Sequence, residues 1–533
     1  MSDHVHAELL ASIRSAPDDD DVRLVLADAY EDAGQLDRAN LIRSQVEHAR
    51  LDPTDPERVR LELEARAALE GNEEAWRARE LPAIEGVRWG AFRRGLVDRA
   101  AIEDVKTLAE HGDALRGSGP LRSLVIHWPR LDARPELAPI ETLRELTVVG
   151  ALLQPDDAGW LARSPLLSTV RELNLVNSRI TVDGLAQLLT SPHLAQLEAL
   201  RLPNHHFTND GVERLVDADL PNLVDLDLSV ATQDELGSGG RYEPTIDQEG
   251  IGRLVAWPVL SQLRALGISG NQIRRDGLAR LLGSGKLAKL ETLRVRSLCD
   301  YVWDEDEDYD DMPGRPDTLA AFADMSGGVA LRELDLGENE LSDTTVRTLS
   351  ESPALASLEV LRMDYPGPGY EALLQAPWLD SVRILSATDG SGLFAALVRR
   401  APARLHTLDL SSRYYWSQNA AFLEPLEACA PLEALRSLDL SATGLGDAAL
   451  RVLAETTALP SLLALYVDEA QEEWRRRDQT FSLAAASELA DSPLGARLRS
   501  LEIGLAGFDR LRRPDPVALS TDYGGYTGPL AFL

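Results

Sequence analysis

From Leu121 onward one short pattern, LxxLxL, recurs through the chain and limits what it can fold into. The first five copies are Leu121-Leu124-Ile126, Leu143-Leu146-Val148, Val170-Leu173-Leu175, Leu197-Leu200-Leu202 and Leu223-Leu226-Leu228. Nine more begin at Leu263, Leu290, Leu331, Leu358, Val382, Leu405, Leu435, Leu462 and Leu498. Six of the thirteen intervals between these fourteen starts are 26 or 27 residues, so the period is real and the others carry insertions or deletions. A chain of 533 residues built this way grows as a stack of units around an elongated core.

The chemistry of one unit follows from its residues. The apolar side chains at its first, fourth and sixth positions point inward from a short strand, and successive units share a parallel sheet. Eight positions past the start a small polar side chain (Ser178, His205, Asn271, Asn339 or Thr443) is placed to satisfy buried turn backbone. An apolar residue follows, then a helix start such as Thr181-Val182-Asp183-Gly184, whose hydroxyl can cap the first amides. Leu185, Leu188 and Leu189, or Leu278, Leu281 and Leu282, then fall at helical spacing, and Pro192, Pro221 and Pro353 mark the stop. A unit buries five or six large apolar side chains at about 1.5–3 kcal/mol each, while ordering each of its residues costs about 1–2 kcal/mol, so a single unit cannot fold alone.

This arrangement resembles the ribonuclease-inhibitor-like class of leucine-rich-repeat proteins, over residues 121–505. The resemblance implies an α/β solenoid: a curved, right-handed leucine-rich-repeat array of about 14 strands, with a parallel concave sheet and convex helices. The chain departs from that class in its few cysteines and irregular repeat lengths. Upstream, residues 1–51 read as three short helices forming a small helical N-terminal domain. The stretch Arg23-Leu24-Val25-Leu26-Ala27-Asp28-Ala29-Tyr30-Glu31-Asp32-Ala33-Gly34, with Ile42-Arg43-Ser44-Gln45 downstream, is similar to the repeat-companion domain of bacterial repeat proteins, although Ala29-Tyr30 stands where that pattern has Trp-Leu. Residues 52–120 begin with Pro53 and Pro56, continue as a charged helix over 57–80, a strand-like Arg93-Arg94-Gly95-Leu96-Val97 and a helix over 102–115, and are expected to cap the first repeat. Residues 506–533 are expected to be a C-terminal tail or cap.

Charge and composition narrow the function. Acidic residues outnumber basic ones by 87 to 54, a net charge of −33, which opposes nucleic acid and anionic membrane surfaces and favours a basic protein partner. Only Cys299 and Cys429 are present, no apolar run approaches membrane-spanning length and the N-terminus lacks a leader pattern; the expectation is a cytoplasmic protein. Catalytic patterns fail on inspection. Asp304, Asp306, Asp308 and Asp310 have calcium-loop spacing, but Tyr309 replaces the turn glycine and Arg315 the bidentate glutamate. Gly283-Ser284-Gly285-Lys286 lacks the remainder of a phosphate loop, and His205-His206 reads as structural. No catalytic residue, metal site or cofactor is expected.

Two surfaces remain for a partner. On the concave face, side chains alternating with the leucines include Arg201, Asp227, Arg294, Arg296, Asp335 and Arg362, and also Asp409, Asp439 and Tyr466. Insertions at about 232–248, 297–318, 411–419 and 468–482 are expected to project from one rim. They carry Tyr242, Tyr301, Trp303, Tyr309, Tyr414, Tyr415, Trp416, Trp474 and Phe481, nine of the chain's 28 aromatics, and Tyr and Trp are enriched at interface cores. The sequence thus points to a non-catalytic protein-interaction scaffold using the concave face and rim loops; the alternative is an acidic regulator or inhibitor of a basic enzyme or nucleotide hydrolase.

Overall fold

A computed structural model describes residues 3–127, 134–150, 153–205, 207–230, 245–298, 318–325, 328–339, 341–364, 369–387, 392–411, 422–441, 443–467, 481–503 and 511–513. Each of the fourteen motif copies forms a strand, and the chain is an α/β solenoid of leucine-rich repeats with an N-terminal helical region. Six helices are contributed by the first 120 residues: α1 (Asp3–Ser15), α2 (Asp20–Asp32), α3 (Leu36–Arg50), α4 (Glu57–Leu69), α5 (Glu73–Glu80) and α6 (Val105–Gly117). The charged stretch expected as one helix over 57–80 is two, α4 and α5, because Gly71 between them adopts φ +69°.

The chain divides into two compact units, one made of residues 1–34, 74–339 and 352–354, the other of 35–73, 340–351 and 355–533. The first unit contains β1 (Val87–Trp89), β2 (Phe92–Arg93), β3 (Leu96–Val97) and β4 (Arg99–Ile102). It continues with the repeat strands β5 (Ser123–His127), β6 (Glu145–Val149), β7 (Glu172–Val176), β8 (Ala199–Arg201), β9 (Asp225–Asp227), β10 (Ala265–Gly267), β11 (Thr292–Arg294) and β12 (Glu333–Leu336). These run parallel, with Leu124, Leu146, Leu173, Leu200, Leu226, Leu266, Leu293 and Leu334 in register. The parallel ladder starts one strand earlier than the leucine motif, at β4, whose Ala100 pairs with Leu124. On its other side β4 pairs antiparallel with β1, which occupies an edge that unpaired amides would leave open.

Within this unit α1 and α2 pack beside the start of the sheet. Asp19 caps α2 by accepting from the Asp21 amide (2.9 Å). The Arg23 guanidinium, 1% exposed, donates to the carbonyls of Pro17 (3.0 Å) and Arg94 (3.3 Å), and Arg122 pairs with Asp18. A buried arginine is tolerated here because backbone oxygens and nearby Asp20 and Asp98 replace its water.

The second unit contains β13 (Val360–Met363), β14 (Ile384–Ala387), β15 (Thr407–Asp409), β16 (Ser437–Asp439), β17 (Ala464–Val467), β18 (Ser500–Ile503) and β19 (Leu511–Arg513). β13 to β18 run parallel with Leu361, Leu385, Leu408, Leu438, Leu465 and Leu501 in register, and β19 pairs antiparallel along β18. α3 and α4 belong to this unit, although some 290 residues separate α4 from β13.

In both units the repeat helices lie behind the strands and bury leucines, as in Arg275–Leu282 (Leu278, Leu281, Leu282) and Asp447–Glu455 (Leu450, Leu453). The polar turn position works as its chemistry requires. Ser178 Oγ donates to Leu175 O (3.0 Å) and Thr443 Oγ1 to Leu440 O (2.6 Å). Asn271 Nδ2 donates to Leu228 O (2.8 Å) and Ile268 O (3.1 Å), while its Oδ1 accepts from the Ile246 amide (3.0 Å). Asn339 repeats the pattern with Val295 O, Leu336 O and the Leu298 amide. Thr181 caps its helix by accepting from Gly184 N (3.1 Å).

Candidate partner-binding face

The strand face turned away from the helices carries two rows of side chains in the first unit, set by parallel register. One row is Glu172, Ala199, Asp225, Ala265, Thr292 and Glu333; the other is Asn174, Arg201, Asp227, Gly267, Arg294 and Asp335. The leucines between them are fully buried, whereas Glu172, Asn174, Arg201, Asp225, Asp227, Thr292, Arg294 and Glu333 are half-buried. Four sequence-selected residues, Arg201, Asp227, Arg294 and Asp335, therefore stand in one row.

Electrostatics organise that row. Arg201 Nη1 lies 3.0 Å from Glu172 Oε2, and its Nε lies 3.1 Å from Asp225 Oδ2, so one cation bridges three strands. Burial works against the Arg201 charge, but Asp225 and then Glu172 outweigh it, and the guanidinium pKa is raised. Asp227 Oδ1 accepts from Ser229 N (2.9 Å) and leans over Gly267, where a Cβ would stand 2.5 Å from it. Asp335, 7% exposed, accepts from Gly337 N (3.0 Å). Arg294 has no ion-pair partner among the described residues and projects from the row between Gly267 and Asp335. Arg296 lies beyond the strand and pairs with Glu338, and Arg362 is half-buried on β13 of the second unit. Tyr242, Tyr301, Trp303, Tyr309, Tyr414, Tyr415, Trp416 and Trp474 lie outside the described residues, as do Cys299 and the aspartates of the 304–310 run.

In the second unit the corresponding face is buried over β15 to β18, whereas Arg362 on β13 and Ser386 on β14 are half-buried. Thr407, Asp409, Ser437, Asp439, Ala464, Tyr466, Ser500 and Glu502 are all at most 9% exposed. Asp409, Asp439 and Tyr466, expected on an open face, are thus interior. Part of the cover is the α3–α4 hairpin. Leu63 packs with Ala464 and Tyr466, and Val59 joins them. Thr54 O accepts from His406 Nε2 (2.9 Å) and from Arg383 (3.3 Å), Thr54 Oγ1 reaches Glu359 (3.0 Å), and Arg499 pairs with Glu64 (2.8 Å). Burial pushes the Tyr466 hydroxyl up to about 12 and lowers His406. Burial and then neighbouring Asp409 raise Asp439 to about 7. No sequence signal marked this contact, because α4 spreads charge around the helix and Val59 and Leu63 meet strands some 400 residues away.

The remaining candidates are structural. His205 stacks on Phe207 (3.9 Å between rings) and its Nε2 lies 3.1 Å from Leu228 O. Lys286 Nζ donates to Val255 O (2.6 Å), tying the 283–286 turn to the preceding repeat. The Cys429 Sγ contacts Leu426 O (3.8 Å), and burial pushes its thiol pKa up, away from thiolate chemistry. Among the described residues no group of three or more His, Cys, Asp or Glu is placed to hold a metal ion, and no helix is long and apolar enough to cross a membrane.

No protein-family model and no curated protein matches this sequence. Among solved structures, the chain is similar to one from the crystal structure of the Rad7 and Elc1 complex in yeast, at 14% identity and a TM-score of 0.35, over 70% of this chain and 85% of that one. A likeness of that degree carries no argument about function.

Proposed function

We propose that the protein is a non-catalytic scaffold that binds a protein partner across the strand face of its first unit, with the aromatic inserted loops contributing at the rim. The observation behind this reading is the pair of half-buried rows on β7 to β12. They hold charged side chains, of which Arg201, Asp227 and Asp335 are fixed by neighbours, on strands whose opposite face is fully buried. Such a surface presents chemistry at a fixed spacing without ordering cost on binding. Its carboxylates, Glu172, Asp225, Asp227, Glu333 and Asp335, outnumber Arg201 and Arg294 and suit a partner with a basic face.

The test is affinity capture from native lysate. It compares the wild type with Arg201→Ala/Asp227→Ala/Arg294→Ala, and separately with Tyr301→Ala/Trp303→Ala/Tyr415→Ala/Trp416→Ala. The expected result is loss of the partner with the first variant and weakening with the second. Retention of every partner by the folded first variant overturns the face; retention by the second overturns the rim. The net charge of −33 also supports an acidic regulator of a basic enzyme or nucleotide hydrolase, and a change in the captured partner's turnover rate on binding separates that role from scaffolding.

A further inference from the structure

From β8 to β12 the second row of the first unit reads Arg201, Asp227, Gly267, Arg294 and Asp335. Three of its four charges are committed inside the chain. Arg201 bridges Glu172 and Asp225, Asp227 accepts from Ser229 N, and Asp335 accepts from Gly337 N. The fourth is not: the half-buried Arg294 guanidinium has neither an ion pair nor a hydrogen bond among the described residues. The groups beside it explain why. Glu333 on β12 accepts from the Thr292 hydroxyl (3.4 Å), Asp335 is turned to its own strand end, and Gly267 on the other side has no side chain to offer. In a chain of net charge −33, the row thus carries one cation that no described carboxylate neutralises.

A helix is the element whose spacing fits such a row. Neighbouring strands stand about 4.8 Å apart and a helix turns once in about 5.4 Å, so a helix laid across strands offers about one side chain to each. The second unit contains that crossing. Thr54, just ahead of α4, meets Arg383 and His406 at the entries of β14 and β15. Leu63 then packs on Ala464 and Tyr466 of β17, and Glu64 pairs with Arg499 at the entry of β18. On the first unit, about ten residues of helix would span β9 to β12 in the same way.

We propose that the first-unit face binds its partner through a helix laid across β9 to β12, with an acidic residue over Arg294 and basic residues over Asp227 and Asp335. The inference rests on the reading of this face as the partner site and adds the charge order that a partner must carry. A guanidinium presents a planar fork of donors that a carboxylate meets with two parallel hydrogen bonds, so Arg294 singles out an acid at that turn. The carboxylates on either side attract basic residues. A uniformly basic helix therefore meets like charge at β11, and a uniformly acidic one meets it at β9 and β12.

Two fluorescein-labelled, alanine-rich helical peptides of about 18 residues test this against the full chain. Both carry Lys at i and i+11; one has Glu at i+7 and the other Lys. The wild type should bind the Glu peptide about tenfold or more tighter than the Lys peptide, and Arg294→Glu should reverse the order. General attraction to an acidic protein gives the opposite ranking. Equal binding, or a preference of the wild type for the Lys peptide, therefore overturns the proposal, as does its failure to bind the Glu peptide. Arg294→Gln, which only removes the charge, should abolish the preference and serves if Arg294→Glu does not fold. Loss of the captured partner by Arg201→Ala/Asp227→Ala/Arg294→Ala alongside a preference for the Lys peptide keeps the face as the partner site and removes this charge order from it.

Discussion

The same repeat builds the strand faces of both units, yet the face of the first holds half-exposed charges while that of the second is interior over β15 to β18. Arg201, Asp225 and Asp227 in the first unit occupy places that Thr407, Ser437 and Ala464, or Asp409 and Asp439, fill in the second. The leucine framework is common to both and decides the sheet. The residues between the leucines decide whether a face stays open or accepts a helix, so fold and recognition are written in separate positions of the motif.

The most direct way to break the comparison is to place a carboxylate at equivalent positions. Ala464 and Ala265 each open their strand, but Ala464 is 1% exposed beneath Leu63 and Ala265 is half-buried. Ala464→Glu should destabilise the second unit by about 3–5 kcal/mol in urea titrations, as an uncompensated buried charge does. Ala265→Glu should stay within about 0.5 kcal/mol of the wild type. Equal penalties would dissolve the distinction between the faces. Next in size, Leu63→Ala should cost about 2–3 kcal/mol, the lower part of the range for buried leucines because α4 can resettle. Hydrogen exchange should place that loss in the second unit, with the strands of the first unchanged.

Titration sharpens the contrast further. Asp439 is raised to about 7 in the folded protein, above its ordinary value of about 4, by burial and then by Asp409. Its contribution is therefore full below about pH 4 and lost as pH rises toward 7. Asp439→Asn should flatten stability over that interval. His48 is lowered to about 4 by burial and then by Arg58, below its ordinary value of about 6.5. Stability from this group is present above about 6.5 and lost as pH falls toward 4, and His48→Gln should remove that limb. Urea midpoints between pH 4 and 8 check both, and unchanged slopes in the variants would contradict the assignments. The smallest effect is expected on the open face. Arg201→Ala should cost about 0.5–1 kcal/mol, diminished in 1 M salt, because its ion pairs are partly solvated.

The strands were legible in the sequence because the signal is local: every LxxLxL copy encodes inward positions five residues apart at most, and each forms a strand. The polar turn residues were legible for the same reason. β4 was not, since Arg99-Ala100-Ala101-Ile102 supplies Ala100 and Ile102 inward and no leucine. The docking of α4 was not, because its sequence, ERVRLELEARAAL, spreads charge around the helix and its partners Ala464 and Tyr466 lie some 400 residues away. For the candidate site, alternation placed Arg201 and Asp227 on the strand face, but alternation alone cannot tell an open face from one that another segment covers.

The two buried asparagines have a consequence for how such a chain can change. Asn271 grips the amide of Ile246, at the end of the insertion at about 232–248, and Asn339 grips that of Leu298, at the start of the insertion at about 297–318. Each insertion is thus clamped at one end to the frame itself. Lengthening a clamped loop adds only a logarithmic closure cost, about 0.6 kcal/mol per doubling. Loop length and composition can therefore drift freely while the strands keep their register, which makes the array a mounting on which new contact segments can be fitted one repeat at a time.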